Sequence, residues 1–252
     1  VDNVGRAINA AVVDGYDAIA ALMPGDGICT YIRQANAEGV LVAAYNGDAA
    51  CAEESGTIFF HGQDLRAAGE EAGRLMCEAT ADLANEDNPG SVGIETEAFT
   101  FQALEERRLG FLDALEENCP WVTSAGDGVE YQGSTDRIAS STRDFMTSTP
   151  NLVGIFVTGG NPQVAAQTVA SADKVDSVRV IGFDFTAENV QQIEAGNLWA
   201  AVGQDPYGQS YDTIVWLYNA LVTGEKPSPD YFVPTEAIVG TQENIAEITA
   251  AE

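Results

Sequence analysis

Eight short apolar runs, separated by stretches of helical periodicity, constrain the fold of this chain more than any other feature. They read as strands at about 17–22, 40–45, 57–61, 91–95, 121–125, 153–158, 178–183 and 198–203. Runs this short and this apolar suit strands buried on both faces, and strand–helix alternation lays such strands in parallel sheets covered by helices. Two of the runs end in polar residues. Val180-Ile181-Gly182-Phe183 leads into Asp184, and Leu198-Trp199-Ala200-Ala201-Val202-Gly203 leads into Gln204, with Pro206 stopping the strand. Open α/β folds bind ligands at the carboxyl edge of the sheet, where these two side chains are expected. An acid accepts hydrogen bonds from hydroxyls, and an amide both donates and accepts. The pair suits a neutral polyhydroxyl ligand.

The intervening segments carry helix signals. Ala, Ile and Val spacing over Val4 to Val13 fits an amphipathic helix that starts near Val1 and feeds the strand Asp17 to Leu22. Asp64 is placed to cap a helix over roughly 64–85, and a further helix is expected over roughly 101–118. Asn161-Pro162 supplies an N-cap and first-turn proline for a helix reaching Ser171. Thr186 is placed to cap Ala187 to Glu194, which Gly196 closes. Asn85 to Gly90 is a turn-rich loop, and a loop is also expected before a helix starting near Ser134. No repeat or low-complexity tract interrupts the pattern.

At 252 residues and 45% hydrophobic content the chain is able to bury a large core in one domain or two lobes. Its charge is unusual, with 39 acidic against 11 basic residues, a formal −28. Phosphate binding needs clustered Lys and Arg, so nucleic acid is excluded as a direct partner, and anionic membrane surfaces are disfavoured. An acidic surface keeps an exported protein soluble, and it also suits a saline habitat; composition leaves both readings open. Four dispersed cysteines and one histidine offer no metal-site spacing, and no cofactor motif is present. His61, without a Ser, Cys or metal ligand placed by motif, supports no catalytic constellation and reads as a solvated or structural residue. Trp121, Trp199 and Trp216 read as core residues.

The Gly182-Phe183-Asp184 and Gln204-Asp205-Pro206 elements resemble those of the ribose-binding type of periplasmic binding protein, a type shared with the effector domains of lactose-repressor-type regulators. Gly15-Tyr16-Asp17-Ala18-Ile19 with Pro24-Gly25-Asp26 is similar to another family segment, and Arg107-Arg108-Leu109-Gly110-Phe111 to its R-x-x-G-F helix. Pro150 to Phe156, Leu221 to Pro227 and Gln242-Glu243-Asn244-Ile245 follow in the family's order and spacing. The resemblance implies an α/β fold of two Rossmann-like lobes with parallel sheets, joined by three hinge crossings. Those crossings are expected near His61-Gly62-Gln63, Gln204-Asp205 and Phe232-Val233-Pro234. Lobe I would then be 1–62 plus 205–232 and lobe II 63–204 plus 233–252, with the ligand in the cleft and hinge closure over it. The family opens with a strand, a helix and a second strand ahead of the helix near Val1. A first lobe lacking them would expose an apolar edge, so that segment is expected outside this sequence.

The implied function is an extracytoplasmic receptor for a small sugar or polyol. It would act as a monomer, periplasmic or extracellular, free or lipid-anchored, and hand its ligand to the membrane permease of an ABC importer. No enzyme activity and no cofactor or metal is implied. An effector domain of a transcription regulator and a receptor for a furanosyl autoinducer stand as alternatives.

The expected ligand contacts follow residue by residue. Asp184 and Gln204 come first. Asn46 stands where the family usually has Asp, and Gly47 where ribose binders have Arg, which puts ribose itself in doubt. Asp48 completes the polar Asn46-Gly47-Asp48 turn. Glu105, Gln102 and Phe101 head a helix expected to enter from the cleft side. Arg107 is expected to pair with a carboxylate and hold that helix. Tyr131 and Gln132 fall where ribose binders place an aromatic ring to stack on the sugar. Gly159 stands where the family often has Asn, and Asn161 is expected to supply that amide. Phe185 is expected as a wall beside Asp184. Cys29 and Cys51 belong near one sheet edge, as in the autoinducer-receptor branch, and Cys77 and Cys119 on neighbouring helices. Disulfides Cys29–Cys51 and Cys77–Cys119 are expected in an oxidising compartment, with four buried free thiols as the alternative.

Overall fold

The computed structural model describes residues 2–250. Along the chain run α1 (Asp2–Val13), β1 (Ala18–Ala21), a 3-10 turn (Asp26–Ile28), α2 (Cys29–Ala37), β2 (Leu41–Tyr45) and β3 (Thr57–Gln63). There follow α3 (Leu65–Ala79), β4 (Gly90–Thr96), α4 (Gln102–Asn118), β5 (Val122–Ser124), β6 (Val129–Glu130) and α5 (Thr135–Ser148). Next come β7 (Leu152–Val157), α6 (Pro162–Ser171), β8 (Arg179–Phe183), α7 (Ala187–Glu194) and β9 (Ala200–Gly203). The chain ends with α8 (Pro206–Thr223), β10 (Phe232–Thr235), β11 (Ile238–Thr241) and α9 (Ile245–Ala250). The start expected for α1 at Val1 lies outside the described residues, as do residues 251–252 of the second expected lobe.

All eight expected strands form, with ends displaced by a few residues. α3 stops at Ala79, well short of 85: Thr80 folds its hydroxyl back onto the Met76 carbonyl at 2.7 Å, and Asn85 then builds a side-chain-stabilised turn. Thr186 caps α7 by accepting from the Asn189 N–H, and Gly196 follows in the left-handed conformation. Asn161 does occupy the position before α6, but in left-handed backbone (φ 68°) and with no side-chain cap, so the capping expectation fails there.

The chain divides into two compact units. Unit 1 comprises the residues up to Asp64, Thr100–Ala103 and Gln204–Glu236. Its sheet is four parallel strands in the order β1-β2-β3-β10. One face buries Ile8, Ile28, Ile32, Val42 and Phe60 with α1 and α2, and the other buries Ala43 and Phe59 against Leu217 of α8. α2 is tied to the loop after β2 by the disulfide Cys29–Cys51.

Unit 2 comprises Leu65–Phe99, Leu104–Gly203 and the described residues from Ala237 onward. Its sheet runs β11-β9-β8-β7-β4-β5, with β6 also pairing β4 and only β11 antiparallel. Strand alternation sends Val92, Ile94, Phe156, Ile181 and Phe183 to the face under α3 and α4. Ile155, Val157, Val180 and Ala201 go to the face under α5, α6 and α7. Cys77–Cys119 bridges α3 to the end of α4, and among the described residues no cysteine is free. The three tryptophans are half-buried at the rims of these cores rather than inside them.

Candidate functional site

In unit 1 the sheet delivers polar groups where β2 and β10 end. Asn46 follows β2 in left-handed backbone (φ 63°), and its N–H donates to the His61 carbonyl at 3.0 Å. An Asn tolerates that conformation at little cost. Its Nδ2 donates to Gln204 Oε1 at 3.2 Å and to Gln209 Oε1 at 3.0 Å. Gln209 Nε2 in turn donates to Gln204 Oε1 at 3.2 Å and to Thr235 Oγ1 at 3.1 Å. Asn46 and Gln204, expected as ligand contacts, are thus joined by a third amide that sequence reasoning missed. The available signal was position: Gln209 sits one turn into the helix that Asp205 caps and Pro206 opens, on the side facing the strand ends.

The remaining unit 1 candidates have other engagements. Asp48 accepts from the Tyr231 hydroxyl at 3.0 Å. Burial pushes its carboxyl up to about 6, against the opposing pull of the Ala49 N–H and the Tyr231 hydroxyl. Gln102 Oε1 accepts from the Ala50 N–H at 3.1 Å, and Phe101 is half-buried beside it in sequence. His61 is not solvated: it is 5% exposed, donates from Nδ1 to the Val233 carbonyl at 2.9 Å and meets the Trp216 ring edge-on at 4.5 Å.

In unit 2 the central residue is Asp184, half-buried after β8 in left-handed backbone (φ 69°). Its N–H donates to the Val202 carbonyl at 3.0 Å. Asn189, itself buried, donates from Nδ2 to the carbonyls of Phe183 and Asp184 at 3.0 and 2.9 Å and so fixes this turn. Arg107 is buried with its guanidinium 3.7 Å over the Phe183 ring, and Nη1 donates to the Thr158 carbonyl at 3.3 Å. Burial lowers its pKa to about 10, and the charge of Asp184 is the main influence holding it up. The carboxylate is therefore partly balanced within its own unit.

The other unit 2 candidates have engagements of their own. Tyr131 offers no stacking face as it stands: its ring is 1% exposed, packed into the core under α5 and α6, and its hydroxyl donates to the Gly160 carbonyl at 3.2 Å. Gly159 lies beside it, and a methyl there would press on that hydroxyl and on Leu104. The Phe185 ring, expected as a wall beside Asp184, lies over Gly203 and Gly240, which are small to admit it. Glu105 grips Arg108 through both oxygens, at 2.8 and 2.7 Å, one turn along α4. Gln132 is exposed, accepting from Arg137 at 2.6 Å and donating to Glu130 at 3.3 Å, and Asn161 accepts from Gln163 at 3.3 Å.

Among the described residues no three His, Cys, Asp or Glu side chains lie together as a metal site, and no helix is long and apolar enough to cross a membrane. The polar sets instead suit hydrogen bonding to an uncharged molecule.

The chain has recognisable relatives among known proteins. The chain is 27% identical over 230 residues to the ABC transporter periplasmic-binding protein YphF of Escherichia coli K12, covering 87% of this chain and 68% of that protein. Its fold matches an Agrobacterium vitis ABC transporter solute-binding protein bound with α-D-tagatopyranose, with a TM-score of 0.84 at 19% identity over 98% of this chain and 82% of that one. A carbohydrate transporter protein from Acidothermus cellulolyticus in complex with myo-inositol gives a TM-score of 0.82 at 24% identity, with the same coverage of each chain. The profile of the periplasmic binding protein domain matches residues 5–226, and the chain belongs to that family.

Proposed function

We propose that this protein is a receptor for a small neutral sugar or polyol and serves an ABC importer outside the cytoplasm. The observation that carries the reading is the make-up of the strand-end sets. Unit 1 presents amides, Asn46 and Gln204, and unit 2 presents one carboxylate, Asp184, whose charge is offset by buried Arg107. Amides and a compensated acid suit hydroxyl groups, whereas an anionic ligand would meet Asp184 and a strongly acidic chain. The bound tagatopyranose and myo-inositol of its structural relatives are ligands of this kind. Two disulfides suit an oxidising compartment. The function is binding, with no bond made or broken, and the partner is the importer's permease.

Titration calorimetry against D-glucose, D-galactose, D-arabinose, D-fucose, D-tagatose and myo-inositol tests this. At least one is expected to bind, and Asp184→Ala and Gln204→Ala are each expected to weaken it tenfold or more, on the order of 1–3 kcal/mol for a buried hydroxyl left unpaired. No binding by the whole panel, or unchanged affinity in both variants, would reject the reading.

A further inference from the structure

We infer that Gln209 is a positioning residue that locks the amides of Asn46 and Gln204 into one joint setting, in which Asn46 meets the sugar as a hydrogen-bond acceptor. The inference deepens the proposed function and rests on Asn46 being a ligand contact.

Gln209 is 0% exposed, so it touches no solvent and is unsuited to contacting a ligand itself. Its amide is fully used inside unit 1. The oxygen accepts from Asn46, and the two hydrogens of the nitrogen go to Gln204 Oε1 and Thr235 Oγ1. A primary amide has two donors and one acceptor oxygen. Asn46 sends both of its side-chain hydrogens inward, one to Gln209 Oε1 and one to Gln204 Oε1. The group that Asn46 has to offer is its Oδ1. It therefore acts as a carboxylate would, accepting hydrogen bonds, but without adding charge to an acidic chain.

The three amides can turn over only as a set. Turning Asn46 alone would put its oxygen against the oxygens of Gln204 and Gln209. Turning Gln209 alone would put its nitrogen against the Asn46 nitrogen and its oxygen against the Gln204 oxygen. Either leaves like atoms facing one another in a largely buried place, where unmade hydrogen bonds are costly. The left-handed backbone of Asn46 and its N–H bond to His61 hold the side chain at this junction. Gln209 thus sets a specificity rule: the sugar atom at Asn46 must be a hydroxyl that donates.

Two readouts test this. In nitrogen-15 spectra of the unliganded protein, the Asn46 side-chain amide hydrogens should exchange slowly with water, and Gln209→Met should speed that exchange at least tenfold. Equal protection in the two proteins would overturn the lock whatever the ligand. For binding, the six sugars named above are measured against wild type, Gln209→Met, Asn46→Ala and the double variant. Gln209→Met is expected to weaken the sugar that binds about tenfold while far-ultraviolet dichroism stays unchanged. In the Asn46→Ala background the same change should cost less than about threefold, because there is nothing left to position. Independent losses that multiply would overturn the positioning role. Gln209→Glu, which keeps the shape but replaces both donors with an acceptor, should bind as poorly as the Met variant, and wild-type affinity in it would also overturn the inference. If no sugar binds, the functional reading fails and the exchange experiment still decides the lock; if a sugar binds but Asn46→Ala is without effect, Asn46 does not meet the sugar and the inference is overturned.

Discussion

Folding places the Glu95 carboxyl, at the end of β4, where no exposed face remains. Oε1 accepts from Ser141 at 2.6 Å and from Thr142 at 2.9 Å, while Oε2 has no hydrogen-bond partner. Burial raises its pKa to about 7, outweighing the two hydroxyls that favour the charged form. Between the unfolded value near 4.5 and this value the native state holds a proton that the unfolded state has released. Stability from this group is therefore complete below about pH 4.5 and is lost as pH rises through about 7. Glu95→Gln mimics the protonated form. It should match wild type in urea at pH 4 and exceed it at pH 8 by on the order of 3 kcal/mol; identical pH profiles would show that Glu95 does not titrate in this range. Such residues were only partly legible in the sequence. Asp184, Gln204 and Asn46 could be placed at strand ends because a polar residue terminating an apolar run has few other positions. Tyr131 could not be placed, because a loop position does not reveal that the ring turns back under Gly159. Glu95 sits inside a run that reads as strand, where its burial depends on hydroxyls 46 and 47 residues away.

α3 and α4 show how elements are matched to each other rather than to a period. They approach so closely that a methyl at Gly69 would strike the Arg107 carbonyl and one at Gly110 would strike the Arg66 carbonyl. Arg66 crosses the pair to Asp113 and Glu106, and Cys77–Cys119 ties their far ends. Backbone atoms cannot swing aside as a side chain can, so Gly69→Ala and Gly110→Ala should each destabilise by about 1–3 kcal/mol in chemical denaturation. Gly160→Ala, with open space around it, should change stability by less than about 0.5 kcal/mol. Equal effects at all three would refute the close-packing account. Reducing the disulfide, which closes 42 residues of chain, should cost about 4 kcal/mol more through unfolded-state entropy. Thiol titration of denatured, unreduced protein should find no free cysteine. The helices themselves were readable from capping residues and periodicity, but their glycine contacts were not, since a helical glycine looks the same whether it meets a neighbour or water. β10 and β11 escaped for a different reason. They are four residues each, mostly half-exposed, and β10 contains Pro234, so neither forms an apolar run.

At the scale of the whole molecule, charge and apolar surface work against each other. The formal charge of −28 repels within each unit and between molecules. α8 meanwhile exposes Tyr207, Tyr211, Ile214, Tyr218 and Leu221, spaced four and three residues apart along one stripe. A stripe of this kind favours association wherever two molecules approach closely enough. At low ionic strength like charge keeps them apart, and at 0.1 M salt the screening length falls to about 10 Å. Adding salt should therefore do two things at once. It should raise the melting temperature, by weakening repulsion among carboxylates within each unit, and it should increase self-association measured by sedimentation, by removing the barrier between stripes. Ile214→Glu with Tyr218→Glu should keep the first effect and abolish the second. Loss of both would mean that the substitutions unfold α8, and persistence of salt-driven association would place it elsewhere on the surface. Affinity for a neutral sugar should stay nearly flat across the same salt series, because the ligand carries no charge for the ions to screen. A steep fall in affinity with salt would instead indicate a cation drawn in by the acidic surface, and would end the case for a carbohydrate ligand.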